Sequence, residues 1–398
     1  MNIFIGVIVG LFVLMTLVTA HEFGHFIAAR RNGVKVLEFG ICFPPRAIAW
    51  VKDPKTKKWT RIKKEDWEKP QKGLVFSLNW LPIGGFCQMD GESANDTRKN
   101  TFGNAKYWAK TKILFAGVAM NWLISYIILT VLAWTGMPTF LDNQFTIESD
   151  TRHEYAPIVV NSVLEDSPAK NAGLESGDKI LKINDAEIKE ITDINKINQE
   201  NAGQTVTYKI DRNNEEKDLA VALNGQDAEY LLGITMSSDQ SLSYSTWSAP
   251  IVGLGLTAQM TGETFKGVGE LIWNVISGAA RQLSFNGETR EEGREAISAA
   301  GDSVSGPVGI IGVIFPAFTS AGPTNVAFLA ALISISLACM NVIPIPALDG
   351  GRWLLITIFK LRKKELSKEV EEKIVSRAFM VLLVLIALIT ILDITRFF

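Results

Sequence analysis

Four stretches without a charged side chain constrain this chain more than any other feature. They are Ile3 to Ala20, Ile113 to Leu141, Ser303 to Leu348 and Ala378 to Leu392. A membrane-crossing helix needs about 20 mostly apolar residues, so the runs predict four spans, near 3–28, 113–135, 324–343 and 378–397. Charge between the spans orients them. Residues 29–112 hold 18 Lys/Arg against 8 Asp/Glu and residues 344–377 hold 8 against 5, whereas residues 137–323 hold 13 against 27. Basic connections stay on the cytoplasmic side, so the long acidic segment and both termini are expected outside. A cleaved signal peptide is the competing reading of the first run; no basic segment precedes it, while Arg30 and Arg31 follow it, which favours a retained span. The balance of 40 basic and 42 acidic residues excludes a polybasic nucleic-acid binder, and no nucleic-acid partner is expected. Cys42, Cys87 and Cys339 form no C-x-x-C pair, so no disulfide framework or cysteine zinc finger is indicated.

Chemistry enters inside the first span. His21-Glu22-Phe23-Gly24-His25 is an H-E-x-x-H motif, whose two imidazoles share one helical face and can share a metal while the carboxylate faces its water. Three ionisable side chains in a span are costly without a role. Catalytic zinc commonly takes three protein ligands, so a third is required. His153 lies in the segment expected on the opposite side of the membrane. Asp349, in Asn341-Val342-Ile343-Pro344-Ile345-Pro346-Ala347-Leu348-Asp349-Gly350-Gly351, is the candidate, where prolines and glycines break the helix at membrane depth. A simple Asp-Gly turn is the plainer reading of Asp349, and the three cysteines are weaker rival ligands.

His21-Glu22-x-x-His25 in a first span with Leu348-Asp349-Gly350 at a third resembles the site-2 protease family of intramembrane zinc metalloproteases, in particular its bacterial regulator-of-sigma-E protease branch. Leu81-Pro82-Ile83-Gly84-Gly85-Phe86 is similar to that family's re-entrant β-loop beside the active site, and Ser305-Gly306-Pro307-Val308-Gly309-Ile310 to its motif before the third span. Two strings depart from the family pattern: Ala116-Gly117-Val118-Ala119-Met120-Asn121 lacks a proline, and Gly40-Ile41-Cys42 has lost its second glycine. The resemblance implies a multi-pass protein of the bacterial inner membrane with its active site near the cytoplasmic face. It implies Zn2+ held by His21, His25 and Asp349, Glu22 as general base, and Asn341 as hydrogen-bond donor to the oxyanion or the substrate backbone. Gly84, Gly85 and Phe86 then form an edge for an unwound substrate, drawn from single-span membrane proteins such as anti-sigma factors or signal-peptide remnants. Asn121 reads as interhelical glue.

Ser167-Pro168-Ala169-x-x-Ala172-Gly173-Leu174-x-x-Gly177-Asp178 resembles the core of a bacterial PDZ domain. The expected fold class is therefore an α-helical polytopic membrane protein with four spans, an inserted extracytoplasmic α+β PDZ domain and a small membrane-associated β-loop. Its expected parts are 1–144 with the first two spans, 145–237 as PDZ domain, 238–323 as an external amphipathic helical segment, and 324–398 with the last two spans. Pro250 to Leu283 reads as a helix lying on the membrane or the PDZ module, and Glu288 to Glu295 as a solvated loop. The expected partners are the lipid bilayer, the substrates, and a peptide ligand or a gating role for the PDZ module. A membrane-anchored PDZ scaffold with a structural or vestigial metal site is the alternative. A zinc transporter is disfavoured by the lack of a second intramembrane ligand set.

Overall fold

The computed structural model describes residues 3–397 other than 68, 93–95, 142, 239, 240, 285 and 303. Contacts divide the chain into two units, residues 1–132 with 250–398, and residues 133–249.

The first unit begins with α1 (Ile3–Arg31), which carries no acidic residue in its first turn and ends on Arg30 and Arg31. Its apolar side chains remain outward, with Phe4 and Phe12 exposed, as suits a helix whose solvent is lipid. The chain then builds a sheet from β1 (Val36–Lys52), β2 (Trp59–Arg61) and β3 (Leu74–Met89). Both long strands bend midway, so residues 85–89, 36–41, 74–78, 48–52 and 59–61 lie side by side in that order. The sheet is thus larger than the small loop expected, and residues 85–89 form one of its edges. Glu38, buried in the middle, is satisfied by an ion pair with Arg46 and by the Ser77 hydroxyl, which donates to it at 2.6 Å. Such pairing offsets the cost of burying a carboxylate. Phe26, Phe39, Phe102, Ile113, Leu114 and Ile356 form a core that fastens the sheet to α1 and to two later helices.

The second span, α2 (Tyr107–Thr135), starts six residues before the expected position. Helical hydrogen bonding continues past the apolar run into the Lys-containing turn, where water solvates the charges. In the second unit, β4 (Met137–Pro138), β5 (Arg152–Glu154), β6 (Ile158–Val163), α3 (Pro168–Asn171), β7 (Lys179–Ile183), β8 (Ala186–Glu187), α4 (Ile191–Glu200), β9 (Thr205–Arg212), β10 (Glu215–Ala222), β11 (Ile234–Ser238) and β12 (Leu242–Tyr244) follow in turn. The main sheet has the order β10-β9-β7-β6-β11, with β8 on β7, while β4, β12 and β5 make a separate ribbon. That ribbon pairs residues 137–138 and 152–154 with 242–244. Ile158, Val160, Leu174, Ile183, Tyr208 and Ile210 fill its core. Burial raises the Asp178 carboxyl, but the Arg212 guanidinium fork and the Glu175 amide outweigh it and hold the group below the usual carboxylate range.

Back in the first unit, α5 (Ala249–Gln282) does not simply rest on a surface: Gly253 closes onto Thr130 of α2, and Val252, Leu256 and Met260 are buried. The expected loop at 288–295 is instead helical, α6 (Gly287–Asp302). Glu and Arg are good helix formers whose charges stay in water, and Arg281 of α5 faces Glu292 at 3.8 Å. A broken apolar helix follows, made of α7 (Pro307–Gly309), a π-helical turn (Ile310–Ile314) and α8 (Phe315–Ser320). It packs on α1 where Gly6 and Gly10 leave room for Pro316 and Phe315. The third span, α9 (Pro323–Val342), gives way to the Pro344/Pro346 turn and α10 (Asp349–Leu361), and the last span is α11 (Lys368–Phe397). Among the described residues, α1, α2, α9 and α11 are long and apolar enough to cross a membrane.

Candidate metal centre

His21 and His25 lie one turn apart on α1, and both are more than nine-tenths buried. Asp349 reaches them from 328 positions away: its Oδ2 lies 3.1 Å from His21 Nε2 and 3.3 Å from His25 Nε2, and the two Nε2 atoms are 3.1 Å apart. Asp349 is the first residue of α10, where a negative group suits the helix dipole. Gly350 and Gly351 allow this approach. A Cβ on Gly350 would stand 2.2 Å from Val342 O, and one on Gly351 1.9 Å from Ile345 O, so any side chain there would push α10 away from the end of α9.

The three donor atoms fit a shared ion. Ligands about 2.0–2.1 Å from a tetrahedral zinc stand roughly 3.3–3.4 Å apart, close to the observed triangle. Without a cation, two imidazole nitrogens and a carboxylate oxygen meeting at this distance would repel unless protons were shared. Glu22 completes the cluster: one ligand-type atom from each of His21, Glu22 and His25 falls within 4.8 Å of the others. Cys87, on the outer strand of the sheet, lies near the Glu22 carboxylate.

Neighbouring residues fix the imidazoles. His25 Nδ1 lies 2.8 Å from Ile113 O, so Nδ1 carries the proton and Nε2 presents a lone pair to the cluster. His21 Nδ1 faces the Asn121 side-chain amide at 3.4 Å, with Asn121 fully buried and its Oδ1 otherwise without a partner. Turning that amide over would give Oδ1 an N–H to accept and set His21 in the same tautomer as His25. Gly117 leaves the hollow in which the rings sit: a Cβ there would be 2.6 Å from both His21 Nε2 and His25 Nε2.

The expected site residues therefore divide. His21, Glu22, His25 and Asp349 converge. Gly84 and Gly85 lie on the sheet edge and close onto α1, where their Cβ positions would be 2.7 Å from Val18 Cγ1 and 3.1 Å from Thr19 Oγ1; Phe86 follows, paired with Gly40. The Asn341 amide donates one hydrogen bond within its own helix, to Leu337 O at 3.0 Å. Asn121, read from sequence as interhelical glue, bridges α2 to α1 through a cluster imidazole. Gly117 and the Ile113 carbonyl were not foreseen; the Ala116-Gly117-x-x-x-Asn121 string was the available signal. Cys42 occupies the place of a family glycine with a left-handed backbone, φ 64°.

Helices able to span a bilayer, one of them carrying His-Glu-x-x-His and met by a distant carboxylate, define the class of polytopic membrane metalloproteases. The chain belongs to peptidase family M50, whose sequence model matches residues 9–386. It is 29% identical over 396 residues to a protein of Clostridium perfringens named "putative zinc metalloprotease", covering 98% of each chain. A Fusobacterium nucleatum protein of the same description is 26% identical over 392 residues, covering 96% of each. The PDZ domain of an SdrC-like protein from Listeria monocytogenes is 24% identical, with 21% of this chain and 90% of that one covered and a TM-score of 0.19.

Proposed function

We propose that this chain is an intramembrane zinc metalloprotease that hydrolyses peptide bonds within or near the transmembrane helices of single-span membrane proteins. The observation that carries the reading is the meeting of Asp349 Oδ2 with both H-E-x-x-H imidazoles. His21, His25 and Asp349 hold the metal. When bound, zinc supplies Lewis acidity that acidifies an attacking water and polarises the scissile carbonyl. Glu22 takes the proton from that water and returns it to the leaving amine.

A substrate helix hides its backbone in its own hydrogen bonds and must open before it is cut. Residues 85–89 offer a strand edge beside Glu22, and an opened segment adding to that edge passes the base. An oxyanion role for Asn341 would draw on the second N–H of its amide, the first being donated to Leu337 O. In the second unit we read a PDZ domain. Its support is a cavity of about 330 Å³ lined by Asn195, Asn198, Gln199, Tyr230, Ile234 and Met236, beside β11 at the end of the sheet order, where a peptide strand can add.

The test compares wild type with Glu22→Gln in detergent on a panel of single-span substrates trimmed on their outer side, with bound zinc measured in both. Cleavage by wild type alone with equal zinc is expected. Equal cleavage by both variants sinks the assignment of Glu22, and zinc without cleavage of any substrate by either favours the scaffold.

A further inference from the structure

Beyond the metal centre, a second feature sits where α1 leaves the membrane. A cavity of about 510 Å³ lies between the end of α1, the turn joining β1 to β2, and the start of β3. Arg30, Lys35, Lys52, Lys57 and Lys72 line it. Asp53 is the sole acid in its wall, and its Oδ1 is already occupied by the backbone N–H groups of Lys55 and Thr56 at 2.8 and 2.7 Å. Lys35 stands 3.9 Å from Asp90. Arg30 lies over the Phe26 ring and Lys52 over the Trp59 ring. Among the described residues, no carboxylate lies within ion-pair distance of Lys52, Lys57 or Lys72.

Five cations around one cavity repel one another unless an anion joins them. Their position selects the anion. Arg30 is in the last turn of a spanning helix, so the cavity lies at the depth of lipid phosphates, and Trp50 and Trp59 on the adjoining strands are partly exposed, as is common at the membrane boundary. The exposed flank of α1, including Phe23 and Phe12, offers a path for acyl chains. We propose that this cavity binds the phosphate of an anionic phospholipid headgroup. The same sheet carries the strand edge beside Glu22, so the bound lipid anchors that sheet at the membrane surface.

The full-length protein in neutral detergent, titrated with phosphatidylglycerol or phosphatidylcholine of matched chains and followed by native mass spectrometry, tests this. Wild type should bind phosphatidylglycerol at least about tenfold more tightly. Lys52→Gln/Lys57→Gln/Lys72→Gln should weaken that binding about a hundredfold and leave phosphatidylcholine unchanged, and each single variant should weaken it about fivefold. Lys179→Gln/Lys189→Gln/Lys196→Gln, in the second unit, should have no effect. The single variants at exposed Lys57 and Lys72 keep the test valid should the triple variant unfold. Unchanged phosphatidylglycerol affinity in both single variants overturns the proposal. So does displacement of the lipid by equimolar inorganic phosphate, which marks a site for a soluble anion.

Discussion

Replacing Gly117 by alanine tests the geometry of the metal centre without touching any of its donor atoms. The added methyl would stand 2.6 Å from His21 Nε2 and from His25 Nε2, whereas ordinary contact begins at 3.4 Å. The rings must therefore retreat by about 0.8 Å, several times the roughly 0.2 Å tolerance of a metal–ligand distance. Losses on the order of a hundredfold in zinc affinity, about 2.7 kcal/mol, are expected. The helix itself gains, because alanine is favoured over glycine by about 1 kcal/mol in a helix interior. The two effects separate by assay. In chelator the variant should melt no lower than wild type, while a competition titration with a chromogenic chelator should show the affinity loss. Wild-type zinc affinity in Gly117→Ala would refute the placement of the imidazoles.

Three further outcomes follow from the same structure. Asn121→Ala should lower zinc affinity about 10- to 100-fold and Asn121→Asp should recover much of it, since only an acceptor for His21 Nδ1–H is needed; indifference to both changes would show that the amide is packing alone. Asp178→Asn should speed amide exchange in β6, β7 and β9 at pH 7, corresponding to about 2 kcal/mol. Because the folded carboxyl titrates below its usual value, the wild-type advantage is full above the ordinary carboxylate range, about pH 4, and shrinks as pH falls through the lowered value; a gap that stays constant as pH is lowered would be contrary. A folded domain fused to the outer end of a trimmed substrate should block its cleavage if the second unit acts as a gate, and undiminished cleavage would remove that role.

How much of this was legible in the sequence depended on the range of the interaction. The four helices long and apolar enough to span a membrane follow from local apolar length, and they run beyond the apolar stretches where helical bonding continues into charged, solvated turns, as at Tyr107 and Lys368. His21, Glu22 and His25 sit on one helix face by periodicity, and Asp349 could be nominated because chain topology disfavoured His153. Gly117 and Asn121 were legible as a string but not as ring supports, because their role appears only once α2 is laid against α1. The helix at 287–302 was missed because charge density was read as loop, although the same residues are strong helix formers. The order of the first sheet could not be read from alternation, since each long strand contributes two of its five rungs. For Asn341 the motif suggests an oxyanion role, while the structure shows one amide hydrogen bond within its own helix.

The claim on which the account rests is that residues 328 positions apart share one ion. Zinc-edge X-ray absorption on the purified full-length protein tests it most directly, with Asp349→Ala measured alongside. The account predicts only nitrogen and oxygen neighbours at about 2.0–2.1 Å, two of them imidazole, and a zinc content that collapses in the variant. A sulfur neighbour at about 2.3 Å, pointing to Cys42, Cys87 or Cys339, or full zinc retention without Asp349, would contradict it.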